Sequence, residues 1–494
     1  MQAARLVQSW PVSAPEAQAA LRPRQGLLRE TGADGVFVQE TGPFSDYERR
    51  VSAQDAVLRQ TITYRIDVPW FGWLLRWPVR RALTHPRAAS PWWAPPDLWS
   101  ARQVRVMALL AVASLTSIFA NTIFTQTVSF AGDSFGVGGT GQGLGGVVVR
   151  IGVVITLPFA MLADRRGRRT VLVWLAWLTP VLCAAGALAP SFPALVASQT
   201  IARPLGLAMG VLIAVVATEE VPRNSRAYAL SVTTLAGGLG AGVAVGALKL
   251  ADLGANGWRL AYVMALLWLP VALSLQRHLP ETRRFAARHD VTVALPRRRF
   301  AVIATVAFVG NVFVAPVSYF QNRYLNHVRG LSGGEIALFT LTTATPASIG
   351  LIVGGRAAEL VGRRVLILTC LPITAVLLVG TYAASGPAMW AMALAGGIVA
   401  GIAYPALAVY RTELFPTGNR SRANAWVTVA SLAGGSLGLL GVGWALDRGA
   451  PYWAAMLVVA VFELAAAAIA YAAYPETAHL SLEEINPGDP ALDS

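Results

Sequence analysis

Ala163-Asp164-Arg165-Arg166-Gly167-Arg168-Arg169 is matched later in the chain by Ala358-Glu359-Leu360-Val361-Gly362-Arg363-Arg364. From Asp164 to Glu359 the displacement is 195 residues, and the glycine and the two arginines after it keep that displacement. Pro280-Glu281-Thr282 returns at the same interval as Pro475-Glu476-Thr477. Glu219, Pro222 and Arg226 return as Glu413, Pro416 and Arg420 at 194. Charged loops copied in this way, with apolar helices between them, read as two homologous membrane halves in tandem.

The composition agrees with a membrane setting. Hydrophobic residues make up 55% of the 494, charged residues only 13%, and mean hydropathy is +0.53. Soluble domains carry roughly 25% charge. From residue 103 onward, apolar runs near 104–129, 143–163, 170–188, 192–217, 227–250 and 257–276 are followed by runs near 300–321, 332–354, 364–383, 387–410, 423–445 and 451–473. Each can cross a hydrocarbon core of ~30 Å. The expected fold is an all-α membrane protein of twelve transmembrane helices in two pseudo-symmetric six-helix bundles, 103–276 and 300–474. A central loop, 277–299, joins them and a tail, 475–494, follows.

Basic residues in short loops stay in the cytoplasm. The loops after the even-numbered spans hold Arg165, Arg166, Arg168, Arg169, Arg223, Arg226, Arg363, Arg364, Arg420 and Arg422, besides the arginines of the central loop. The opposite loops hold little beyond Lys249, Arg259, Arg323, Arg329 and Arg448. Both termini are therefore expected in the cytoplasm. The net charge of +14 follows from these span-end arginines and anionic lipid, not from nucleic-acid binding. Cys183 and Cys370 fall inside apolar runs, so neither a disulfide framework nor a metal site is indicated. No apolar stretch in the first 30 residues reads as a removable signal peptide, so none is expected. With no Walker A loop and no recognisable nucleophile and base, neither an enzyme nor a cofactor is expected.

Residues 1–102 form a cytoplasmic segment that holds Trp10, Trp70, Trp73, Trp77, Trp92, Trp93 and Trp99, seven of the fifteen tryptophans. Within 69–83, Trp70, Trp73, Leu74 and Trp77 share one helical face while Arg76 and Arg80 point elsewhere. That pattern places a helix in the headgroup layer, although Pro78 argues against a long continuous one. Residues 1–60 carry no legible motif.

The motif around Asp164 resembles the loop between helices 2 and 3 of the major facilitator superfamily, Gly-x-Leu-Ala-Asp-Arg-x-Gly-Arg-Arg/Lys. Leu162, Ala163, Asp164, Arg165, Gly167, Arg168 and Arg169 match, and Ala160 replaces the leading glycine. The second copy keeps Gly355 but has Glu359 for the aspartate and Leu360 for the first arginine. The resemblance covers about 103–487. Pro475-Glu476-Thr477 with Leu482-Glu483-Glu484 looks like the sugar-porter branch, whose glutamine elements are missing from spans 5 and 7. Asn121-Thr122-Ile123 looks like the Asp-Thr-Ile of drug exporters with asparagine for the acid.

The family resemblance implies a transporter that works by alternating access, with a gate on the cytoplasmic side. Asp164 would face the start of span 11 near Ser421 to Asn424. Arg168, Arg169, Arg363 and Arg364 would pair with Glu219, Glu220, Glu281, Glu413 and Glu476 when the site faces outward, in weak pairs of ~0.2–1 kcal/mol each. Arg165, Gly167, Arg226, Glu359, Gly362 and Arg420 complete the gate. The family's cavity is lined mainly by helices 1, 4, 7 and 10, which points to Asn121, Gln126, Asn311, Ser318, Tyr319 and Tyr404.

Embedded charges are costly and mark candidate sites. Arg203 lies 16 residues before Glu219 and Arg150 lies 14 before Asp164. Without a local counter-ion, they point to an anionic substrate or to pairing with Glu463 or Asp133. Glu463 is the embedded acid that could carry a proton. The expected partners are a small solute (a sugar, an organic acid or a related metabolite), membrane lipid and, with symport or antiport, a proton. The chain is expected to act as a monomer in the cell membrane. Drug efflux, or a transporter-like sensor or scaffold acting through the N-terminal segment, are the alternatives.

Overall fold

The computed structural model describes all residues except 1–3, 14, 55–56, 87–89, 92, 138–144, 147, 248–249, 251–252, 283–294, 332 and 487–494. Eleven of the described helices are long and apolar enough to cross a membrane. Span 1 lies in Ala101–Ser134, span 3 in Arg168–Ala185, span 4 in Phe192–Glu220 and span 5 in Arg226–Gly246. Span 6 runs from Gly257 to His278, span 7 is Arg297–His327, span 9 Arg363–Ala383, span 10 Gly386–Glu413, span 11 Arg420–Asp447 and span 12 Tyr452–Ala473. Span 8 reaches Leu360, six residues beyond its expected end, and is divided between Gly333–Ala344 and Ala347–Leu360. Pro346 at the junction cannot donate to the helix ladder. Span 2, outside the eleven, passes through a 3-10 turn at Gly152–Ile155 before its last helix, Thr156–Arg166. The two halves thus interrupt the same span at nearly the same distance from the repeated motif.

Apolar packing joins the halves at one end. A single apolar cluster takes in Ala163, Leu172 and Leu212 of the first half together with Ala358, Val409 and Phe415 of the second, close to the arginine-rich loops. Toward the other end the clusters are separate, one around Phe119, Trp258 and Tyr262 and one around Phe313, Tyr324 and Tyr382. Span 2 packs against span 11, and span 5 against span 8. A Cβ on Gly355 would come within 2.5 Å of the Ser231 hydroxyl, so the motif's leading glycine permits the second crossing. At the first crossing, Ala160 is buried with Leu157 and Ala425.

The N-terminal segment is not a featureless tail. Strands β1 (Ala4–Pro11), β2 (Arg29–Ala33), β3 (Val36–Thr41), β4 (Phe44–Gln54) and β5 (Val57–Ile66) form an antiparallel sheet of order β1-β5-β4-β3-β2. A short helix, α1 (Pro15–Ala20), follows β1, and α2 (Gly72–Thr84) covers one face through Val79 and Leu83, against Leu6, Phe44, Ile62 and Tyr64. The expected amphipathic helix therefore exists, and it continues through Pro78. Trp73, Leu74 and Trp77 are exposed on it as the pattern implied, whereas Trp70 precedes it with a φ of 67° and donates to the Ser274 hydroxyl of span 6 at 3.3 Å. Trp92 lies outside the described residues. Two cavities border this unit. One, of ≈ 570 Å³, is lined by residues including Arg24, Trp77, Arg81 and His85, and an apolar one of ≈ 290 Å³ runs between the unit and spans 1 and 5.

Candidate functional site

The two repeated loops turn on glycines that only a residue without a Cβ adopts easily: φ is 101° at Gly167 and 104° at Gly362. Each turn ends one span and starts the next, and exposes backbone N–H groups at the new helix N-terminus. The Glu281 carboxylate accepts from the N–H of Arg168 and Arg169 at 3.1–3.2 Å. Its repeat, Glu476, accepts from Arg363 and Arg364 at 3.2 and 3.1 Å. Burial opposes the Glu476 charge, yet the N–H groups of Arg364, Ala478 and Arg363 hold its carboxyl below the ordinary value. These two acids were expected to meet arginine side chains. They cap helices instead, because the glycine turn presents backbone donors first.

The motif acids bridge the halves. Asp164 accepts from the N–H of Ser421 at 3.3 Å and of Arg422 at 3.0 Å, at the start of span 11. Glu359 does the same for the N–H of Ala227, at the start of span 5, at 2.8 Å. Sequence reasoning reached the first contact but not the second, although the repeat itself implied it.

Buried ion pairs cross in the same reciprocal way. Arg420 of the second half meets Glu219 of the first at 2.9 Å, and Arg226 of the first meets Glu413 of the second at 2.9 Å. Within each half, Arg168 lies 3.4 Å from both Glu219 and Asp164, while Arg363 pairs with Glu413 and, at 2.8 Å, with Glu359. Arg168 also donates to the Thr417 carbonyl across the seam at 2.5 Å. All these side chains are essentially buried. Deleting one partner of such a buried pair strands the other charge and costs ~3–5 kcal/mol.

Other charges go elsewhere than expected. Arg169 donates to the carbonyls of Leu279 and Gln276, and Arg364 to that of Tyr471. Arg165 is exposed. Glu220 pairs with Arg102, just before span 1, at 3.4 Å. The stretch between α2 and span 1 is also tied to both halves. Asp97 accepts from the N–H and side-chain amide of Asn224, each at 3.1 Å, the Trp93 carbonyl accepts from the Tyr228 hydroxyl at 2.5 Å, and the neighbouring Ala94 carbonyl accepts from Arg356 of span 8 at 3.0 Å.

The polar residues inside the spans are less gathered. Asn311 donates to the Ser431 carbonyl of span 11 at 2.6 Å, Asn121 to the Ser117 carbonyl of its own helix at 2.9 Å, and Ser318 to Val314 at 3.1 Å. Gln126 makes no polar contact among the described residues, and Tyr404 is half exposed. Glu463 is buried with Oε2 unpartnered, facing Gly310 of span 7, where an added Cβ would lie 3.3 Å away. It pairs with neither embedded arginine, and the Asp133 side chain lies outside the described set. Arg150 stands 6.0 Å from the Tyr319 ring centre in span 7.

The model of the Major Facilitator Superfamily matches residues 110–344 and 306–489. The chain belongs to this superfamily. That makes it a multi-pass membrane transporter and not an enzyme. Among solved structures, the proton:xylose symporter XylE bound to 6-bromo-6-deoxy-D-glucose is 15% identical, with a TM-score of 0.67 over 77% of this chain and 98% of that one. FucP in the outward conformation is 16% identical, with a TM-score of 0.63 over 76% and 100%. The human organic anion transporter MFSD10 is 13% identical, with a TM-score of 0.61 over 74% and 99%. No curated protein matches the chain in sequence.

Proposed function

We propose that this superfamily member moves a small organic solute across the cell membrane by alternating access between residues 103–276 and 300–474. The arginine-rich face, which the charge rule assigns to the cytoplasm, is the closed gate. The observation that carries this reading is the exchange of helix caps between halves, Asp164 onto span 11 and Glu359 onto span 5. These contacts, with the crossed pairs Arg420–Glu219 and Arg226–Glu413, form only while the two halves meet on that face. Fused apolar packing at this end and separate packing at the other support an outward-facing arrangement.

Proton coupling is part of the proposal. XylE and FucP are described as proton symporters, and Glu463 is an embedded carboxyl with an unpartnered oxygen. The test is flux into proteoliposomes of labelled sugars and organic acids, with and without a proton gradient. Gradient-driven accumulation that Asp164→Asn abolishes supports the reading. No flux for the whole panel, with a cellular phenotype that depends on residues 1–102, would favour the sensor alternative.

A further inference from the structure

We propose that Arg150 and Arg203 form an anion site at the seam of the two halves, and that the solute carries a carboxylate or phosphate group. This inference rests on the transport reading and narrows its substrate class.

At 1.5 Å per residue, Arg150 and Arg203 stand ~21 and ~24 Å from the motif face, so they share one level in the far half of a ~30 Å core. Tight packing fixes them there. A Cβ on Gly152 would come within 2.4 Å of the Thr200 carbonyl, and Thr156 donates to the Pro204 carbonyl at 3.3 Å, so spans 2 and 4 touch backbone to backbone beside both arginines. The two side chains thereby project from adjoining turns of spans 2 and 4. Among the described residues no carboxylate pairs with either, and the Arg203 Nε is buried without a hydrogen-bond partner.

Two like charges without a counter-ion repel each other. The buried gate arginines are each matched with an acid, whereas this half-buried pair has none among the described residues. An anionic group between them supplies the missing charge and the bidentate acceptor that guanidinium geometry fits. Tyr319 of the second half, already facing Arg150, lets the same ligand touch both halves. Binding would then report directly on their relative position.

The test uses the purified full chain in an uncharged detergent. Without added anion, Arg150→Gln and Arg203→Gln should each relieve repulsion and raise the melting temperature by roughly 2–4 °C. Succinate, benzoate or inorganic phosphate should stabilise the wild type in a dose-dependent way and lose that effect in both variants. Xylose and tetraethylammonium, the uncharged and cationic controls, should not stabilise. Lower melting temperatures in both variants overturn the inference. So does an anion effect that survives both substitutions, or the absence of stabilisation by all three anions. Anion stabilisation without flux in proteoliposomes would keep the site and remove the transport reading. Flux of uncharged solutes without anion stabilisation would do the opposite.

Discussion

The Asp164 carboxylate lies 3.0 Å from the backbone nitrogen of Arg422, so an acid of the first half caps a helix of the second. A charged cap at a helix N-terminus contributes ~0.3–1 kcal/mol when exposed and up to ~2 when partly buried. Asp164→Asn should insert and fold but open the arginine-rich face more often. Faster labelling of cysteines introduced beside Thr417 would show it, and unchanged labelling would count against the gate.

The pair Glu219–Arg420 has both side chains fully buried. Arg420→Met alone should therefore lose ~3–5 kcal/mol, because it leaves a carboxylate short of a counter-charge. Adding Glu219→Gln should cost less than the sum of the single changes. A double-mutant cycle on thermal unfolding measures that coupling, expected at about 1 kcal/mol or more.

Gly167→Ala and Gly362→Ala both place a Cβ at a positive φ with ψ near 145°, a region essentially reserved for glycine, at a cost of roughly 1–3 kcal/mol. A Cβ at Gly362 would also press on Glu476 Oε2 at 3.1 Å. Expression level and melting temperature should fall below wild type in both variants.

In the N-terminal unit, burial opposes the Glu30 charge, but Arg49 at 2.6 Å and Tyr47 at 2.5 Å hold its carboxyl below the ordinary 4.5. Because the folded value is the lower one, this stabilisation is present above pH 4.5 and is lost as pH falls through the folded value. Tryptophan fluorescence should show the unit loosening in that acid range, and Glu30→Gln should remove the pH dependence while lowering stability at neutral pH.

Arg356→Ala removes the hydrogen bond from span 8 to the Ala94 carbonyl but leaves the buried ion pairs intact. Limited proteolysis of the stretch 86–100 should become several-fold faster. Equal rates in variant and wild type would mean that the stretch is held by the first half alone.

The membrane fold was legible because lipid leaves few options: long apolar runs, a repeated loop and an arginine bias are each visible without knowing any contact. The Asp164 cap was legible through the family motif. The sheet at 4–66 was not, since its strands hide their period. In β5 the buried positions Leu58, Gln60, Ile62 and Tyr64 include an amide, and Arg49 and Glu30 are buried opposite it. A polar core satisfied by its own hydrogen bonds looks like a polar surface in sequence. One signal was available: Asp34-Gly35, with φ of 55° and 75°, is the two-residue hairpin turn between β2 and β3. The destinations of Glu281 and Glu476 were not legible either, since sequence shows charges but not which backbone donors a turn exposes.

The stretch ahead of span 1 leaves the protein with a built-in optical reporter. Trp93 and Ala94 hold opposite halves through adjacent carbonyls, and the Trp99 ring stands edge-on to Tyr228 at 5.7 Å. Rocking of one half against the other strains this link between Tyr228 and Arg356, so turnover should be visible in intrinsic emission without any attached dye.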